Sequence, residues 1–196
     1  VIDGTLAIIN NKDIKLNELM KRIPGPDFPT GGIIIGKDII KQGLKEFKGV
    51  QRRFNKIFKY RETEYYDDYA HHPTEIKEVL TGVKKVYKKE EIICIFQPHR
   101  ISRLKDLRKE FSLSFKKANS VILCPVYSAG EKLKLGFNYF DYAKEIIKNS
   151  KVKVFLAKDQ YQLAAFIKQN VYGKKIVIGM GAGSISNWIK ELPNLI

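Results

Sequence analysis

The run Asp67-Asp68-Tyr69-Ala70-His71-His72-Pro73-Thr74-Glu75 sets two adjacent carboxylates and two adjacent imidazoles ahead of a proline that can open a helix. These are the side chains that move protons or hold cations near neutral pH, so acid-base chemistry or a metal is the first thing such a run could supply. A zinc or manganese site is the poorer reading. Neighbouring His71 and His72 point in different directions, and no further His or Cys pair completes a tetrahedral set. The chain has three histidines, and the third lies in Gln97-Pro98-His99-Arg100-Ile101-Ser102-Arg103. The cations of that run suit a carboxylate, since a guanidinium offers charge-assisted hydrogen bonds in a planar fork.

These residues need elements to hold them, and the pattern from Gln51 onward is strand, helix, strand. Residues 53–59 and 64–66 read as a short antiparallel pair feeding the Asp67-Asp68 corner. Pro73 fits the first turn of a helix, and Ile76, Val79, Leu80 and Val83 recur at helical spacing through Val86. A buried strand over 92–96 leads into the His99 run. Helices are predicted over 104–118, 140–148 and 159–170, with strands over 120–125, 152–156 and 175–180. Ser184 is predicted to cap a last helix through Trp188 and Leu192. Strands alternating with helices of this length imply an α/β fold, a Rossmann-like and mostly parallel doubly wound sheet. Ligand contacts then gather at the carboxyl ends of its strands.

Gly179-Met180-Gly181-Ala182-Gly183-Ser184 invites a dinucleotide reading, but it follows the last strand and no acidic residue stands at the required distance. It reads instead as tight strand-to-helix packing with amides free to meet an anion. Tyr127-Ser128-Ala129-Gly130-Glu131 supplies another strand-end loop, in which Glu131 could pair with Arg100 or Arg103, face a substrate amine, or simply shape the turn.

At 196 residues the chain suits one full domain with a short appendage. No stretch of about 18 apolar residues occurs and no secretory leader pattern opens it, so no membrane partner is expected and the chain reads as cytoplasmic. Cys94 and Cys124 sit in apolar runs without metal or redox spacing and are expected to be buried thiols. The formal net charge of +15 raises nucleic acid as a partner. The lysines are spread over nearly every predicted helix, however, which points to solvated faces and attraction for anionic substrates rather than a nucleic-acid stripe.

Together with Gly49-Val50-Gln51-Arg52-Arg53-Phe54, the runs at 67–75, 97–103 and 127–131 resemble, in the same order, the carboxyl-terminal domain of the Mur ligases. The likeness is greatest to the branch that joins L-alanine to UDP-N-acetylmuramate with ATP in peptidoglycan synthesis, and it covers residues 44–196. The resemblance implies that Arg53 reaches bound nucleotide when domains close, and that Asp68 contacts the ATP ribose or orients Arg53. It places His71 at the interdomain active site, so that Asp68 and His71 are the catalytic candidates. His99, Arg100 and Arg103 would hold the amino acid or the nucleotide-sugar. Asp67 and His72 rank second, and Thr74 and Glu75 are expected to stabilise the helix start. Where family members carry an aromatic residue and a threonine beside these cations, this chain has Ile101 and Leu104.

No Gly-x-x-x-x-Gly-Lys-Ser/Thr loop is present to cradle ATP phosphates, and the residues that bind Mg2+ in such ligases are expected in a central domain outside this sequence. The chain is therefore expected to be inactive by itself. Residues 1–43 depart from the pattern: Leu16-Asn17-Glu18-Leu19-Met20 and Ile23-Pro24-Gly25-Pro26-Asp27-Phe28-Pro29-Thr30-Gly31-Gly32 resemble an internal piece of the A subunit of DNA gyrase or topoisomerase IV. This implies a junction between 36 and 44, with little contribution from the first segment to the stability of the rest. The alternative readings are a muropeptide-recycling Mur ligase relative and a basic, DNA-binding gyrase-like fragment.

Overall fold

The computed structural model describes residues 51–131 and 137–196; the gyrase-like segment and the 1–43 boundary lie outside the described residues. Strand β1 (Asn55–Tyr60) turns back into β2 (Thr63–Asp68), followed by helix α1 (Pro73–Val86) and β3 (Glu91–Phe96). Two short helices, α2 (Ile101–Asp106) and α3 (Arg108–Leu113), precede β4 (Ser120–Leu123). Then come α4 (Tyr139–Ser150), β5 (Lys153–Leu156), α5 (Gln160–Asn170), β6 (Lys175–Met180) and α6 (Ile185–Leu195).

The strands form a six-stranded sheet in the order β1-β2-β6-β3-β4-β5, antiparallel only between β1 and β2. Alternation along the strands explains why both faces are covered. Ile92, Cys94 and Phe96 join Ile176, Ile178 and Met180 on one face, against Ile76, Leu80, Phe111, Tyr142 and Ile146 from α1, α3 and α4. Ile93, Ile95 and Val177 face the other way, onto Leu163 and Ile167 of α5 and Ile185, Ile189 and Leu192 of α6. A side chain of this kind contributes roughly 1.5–3 kcal/mol when fully buried, so the two layers fix which strand edge faces which helix. Both cysteines are buried free thiols, and burial pushes each well above the ordinary thiol range.

Register brings the strand ends level. Asp68 pairs with Met180, Met180 with Phe96, and Phe96 with Leu123. The loops at 69–72, 97–100, 124–131 and 181–184 therefore leave the sheet along one edge. Because β6 returns to lie between β2 and β3, the connections diverge at the β3/β6 boundary, where open α/β sheets leave a crevice for ligands.

Two expectations need correction. The helix expected over 104–118 begins earlier, at Ile101, breaks at Leu107 (φ −111°, ψ 26°) and ends at Leu113. Leu104 and Phe111, seven residues apart, stay on the buried side across the break, as they would on one continuous helix. Ser184 has helical backbone angles and no side-chain cap bond, because its hydroxyl is engaged with Gln97.

Candidate functional site

The two arginines that follow Gln51 have different fates. Arg52 donates to the Gly181 carbonyl, faces the buried Asp67 carboxylate at 3.5 Å and lies over the Tyr69 ring at 4.8 Å. Its charge is spent inside the domain. Arg53 is exposed, its backbone N–H bonded to Asn55 Oδ1 at 2.8 Å, and among the described residues its guanidinium forms no ion pair.

The paired carboxylates hold the corner together. Asp67 accepts from the Ser186 hydroxyl at 2.6 Å, tying β2 to α6. Asp68, only 3% exposed, accepts from the Phe54 amide on one oxygen and the Ala70 amide on the other, both at 2.8 Å. Burial pushes the Asp68 carboxyl upward, against the pull of the two amides and the Arg53 charge. Asp68 thus meets Arg53 through the backbone of the next residue rather than through its guanidinium.

His71 and His72 part company as their adjacent spacing requires. His72 is the N-cap of α1, with Nδ1 accepting from Thr74 N–H at 3.4 Å, while Glu75 accepts from the amides of His71 and His72 at 2.9 and 3.1 Å. Glu75 therefore stabilises the helix start as expected, and His72 serves the turn. His71 turns to the strand-end edge: Nδ1 lies 3.0 Å from the Tyr69 carbonyl, and the ring stands edge-on to His99 with centroids 5.8 Å apart.

His99 stacks on Tyr127 (5.5 Å, 17° between planes), and the two residues also form a parallel backbone bridge. Its Nδ1 is buried without a hydrogen-bond partner, as is Nη1 of half-buried Arg103. Burial holds His99 below the ordinary imidazole range, assisted by Arg103, His71 and Arg100. Arg100 is exposed with φ at +67°, a conformation unusual for a residue with a Cβ. Arg52, Phe54 and Ala129 share positive φ, so backbone strain is concentrated in these loops.

Under this cluster lies a tight floor. Gln97 Oε1 accepts from Ile185 N–H at 2.9 Å and its Nε2 donates to Ser184 Oγ at 3.0 Å. A Cβ on Gly183 would sit 2.5 Å from the Tyr127 ring, and one on Gly181 2.6 Å from the Gln97 carbonyl oxygen. The glycine run is thus close strand-to-helix packing, and the Gly181 amide is used by the Asp68 carbonyl at 3.3 Å. Among the described residues Glu131 forms no ion pair with the arginines, and its carboxylate accepts from the first turn of α2.

The structure therefore brings together His71, His99, Arg100 and Arg103, with Arg53 and Asp68 along the same edge. Tyr69, Tyr127 and Arg52 shape the cluster. The stack on His99 and the close approach to Gly183 reveal the part of Tyr127, and neither contact is written in the local sequence. Chemically the arrangement suits an anion, since among the described residues Arg53, Arg100 and Arg103 form no ion pair and imidazoles stand beside them. Among the described residues no group of three or more His, Cys, Asp or Glu is arranged for a metal. The residues present do not fit Mg2+, since both Asp68 oxygens and one of Asp67 are committed to protein donors.

Comparison with known proteins places this edge in context. Residues 52–183 match the family described as Mur ligase, glutamate ligase domain. The chain is 73% identical over 162 residues to a UDP-N-acetylmuramate--L-alanine ligase of Pelagibacter ubique, covering 83% of this chain and 35% of that protein. It is 38% identical over 160 residues to the enzyme of the same name from Bartonella tribocorum, covering 82% and 34%. Among solved structures, the UDP-N-acetylmuramate-alanine ligase of Thermotoga maritima is similar with a TM-score of 0.60 and 28% identity, over 78% of this chain and 31% of that one. The chain spans about a third of the length of these relatives.

Proposed function

The chain belongs to the Mur ligase family as its glutamate ligase domain, and from that premise we propose that it is the closing domain of an ATP-dependent ligase joining L-alanine to UDP-N-acetylmuramate. The observation that carries this reading is the pair of buried, unpartnered nitrogens, His99 Nδ1 and Arg103 Nη1, beside exposed Arg100 at the β3 strand end. A buried polar nitrogen without a partner costs about 1–3 kcal/mol, and exposed Arg100 beside the pair is open to a ligand carboxylate. The relatives at 73% and 38% identity bear the name of the L-alanine ligase, which favours a single amino acid over a muropeptide.

In the whole ligase ATP supplies the phosphoryl group that activates the lactyl carboxylate of UDP-N-acetylmuramate. Arg100 and Arg103 hold the amino-acid carboxylate, so that the amine is presented to the activated carbonyl instead of diffusing past it. His71, with Nδ1 held against the Tyr69 carbonyl, offers Nε2 to a proton leaving the attacking ammonium. Arg53 reaches nucleotide oxygens, and Asp68 keeps the Arg53 backbone in place through the Phe54 amide. Magnesium ligands belong to the part of the ligase outside this domain.

The test joins residues 44–196 to the upstream two thirds of the Pelagibacter ubique ligase and measures L-alanine-dependent phosphate release. Arg53→Ala should lower kcat sharply, since its contact with nucleotide forms on domain closure, and Asp68→Ala should do the same by releasing the Phe54 amide that keeps Arg53 in place. Arg100→Ala and Arg103→Ala should chiefly raise KM for L-alanine or the nucleotide-sugar by tens-fold, the equivalent of roughly 1.5–3 kcal/mol for a charge-assisted contact. If all four variants matched the unmodified ligase, the site assignment would be wrong.

A further inference from the structure

Arg100 starts α2 from a positive-φ backbone conformation (φ +67°, ψ 133°) and provides no side-chain cap of its own. Something else must hold it there. The loop after β4 does so from two sides. The Tyr127 carbonyl accepts the Arg100 amide at 2.8 Å. One Glu131 oxygen accepts the amides of Ile101 and Ser102 at 2.8 and 3.1 Å, and the other accepts the Ser102 hydroxyl at 2.6 Å. The same loop is itself folded tightly, with Ala129 and Gly130 at φ +51° and +86° and the Glu131 amide bonded to the Ser128 carbonyl at 3.0 Å.

On the reading of Arg100 and Arg103 as the carboxylate-binding pair, we propose that Glu131 is their positioning residue, acting through the backbone of α2 and not by touching substrate. Three donors from one helical turn occupy the carboxylate, so a negative charge close to the cations leaves them available to a ligand. Without that grip Arg100 would relax toward negative φ, and the start of α2 would turn, carrying Arg103 with it. The Ser102 hydroxyl, followed by the two amides, holds the Glu131 carboxyl below the ordinary glutamate range, so the grip is charged at neutral pH.

Two measurements decide the matter. In the 196-residue chain, the backbone amide resonances of Ile101 and Ser102 should follow a single low-pH ionisation that disappears in Glu131→Gln. Amides indifferent to that substitution overturn the proposal. In the complete chimeric ligase, Glu131→Ala should raise KM for L-alanine about five- to tenfold, the scale of a lost helix cap, with kcat within about twofold. Glu131→Gln, which keeps an acceptor oxygen for both amides, should recover most of the loss. If Glu131→Ala does not fold, Glu131→Asp is read by the same rule, since it keeps the charge but falls one methylene short. A folded Ala or Asp variant with unchanged KM sinks the positioning role. Unchanged KM in Arg103→Ala instead sinks the reading of the site on which it rests.

Discussion

His99 sits where a proton is unwelcome, its ring stacked on Tyr127 and one nitrogen buried beside Arg103. In the unfolded chain it titrates near its ordinary value of 6.5, whereas in the fold it stays neutral to lower pH. Below that value the unfolded state therefore binds more protons, and stability must fall as pH drops until the folded imidazole also protonates. His99→Gln should remove this share of the slope. Thermal melts of both proteins from about pH 7 to about pH 5.5, the range below an ordinary imidazole pKa, measure the difference, and parallel curves would contradict the assigned environment. The candidate motifs were visible in sequence as residue types, but their division of labour was not. Arg52 and Arg53 look alike in a tandem pair, and only contacts to Gly181 and Asp67 make the first a fixture and leave the second available. Glu131 was open to three readings until the first turn of α2 was seen to converge on it.

Among the elements, the floor of the site depends on two chain segments approaching more closely than a side chain allows. In Gly181→Ala the new Cβ would meet the Gln97 backbone oxygen at 2.6 Å, at a φ of +149° that L side chains avoid. Backbone cannot swing aside as a flexible side chain can, so the substitution should cost about 1–3 kcal/mol. Gly82→Ala is the matched control, because it lies inside α1 with nothing within 4 Å of the added Cβ. There the gain in helix propensity should stabilise by about 0.5–1 kcal/mol. Denaturant unfolding of the two variants should move the midpoint in opposite directions. Helix α1 was legible to the residue, because Pro73, Glu75 and the apolar spacing are all local signals. The α2–α3 break was not, since Leu107 is no helix breaker and the apolar spacing of Leu104 and Phe111 suits one continuous helix.

For the whole molecule, the 196 residues match about a third of the relatives' length. Phosphoryl-transfer catalysis is mostly positioning and metal charge, and the described residues provide neither a phosphate cradle nor a magnesium site. The 196-residue chain alone should show no L-alanine-dependent phosphate release, and detectable release by pure protein would refute this. We also propose that residues 1–36 lend the domain little stability, because their sequence departs from the strand-helix pattern that begins at Gln51. Deleting them should leave the Tm of residues 37–196 within a few degrees, the equivalent of about 1 kcal/mol at this size. A large drop would mean that the segment completes the core. The charge of +15 has a local rationale in part: Lys84, Lys85, Lys148 and Lys168 occupy last turns of α1, α4 and α5, where cations complement the helix dipole.

The α/β class, the placing of each motif at a strand end and the candidate cations were all available from the sequence, because periodicity, caps and residue chemistry act over a few neighbouring positions. The order of the strands was not. Insertion of β6 between β2 and β3 is a choice among sheet partners distant in the chain, and it alone makes the crevice where Gln97 meets Ser184. The bonds from Arg52 to Gly181 and from Ser186 to Asp67 span 129 and 119 residues. Such contacts are set by how two covered faces of a sheet close on each other, a global packing condition that no local run of residues records.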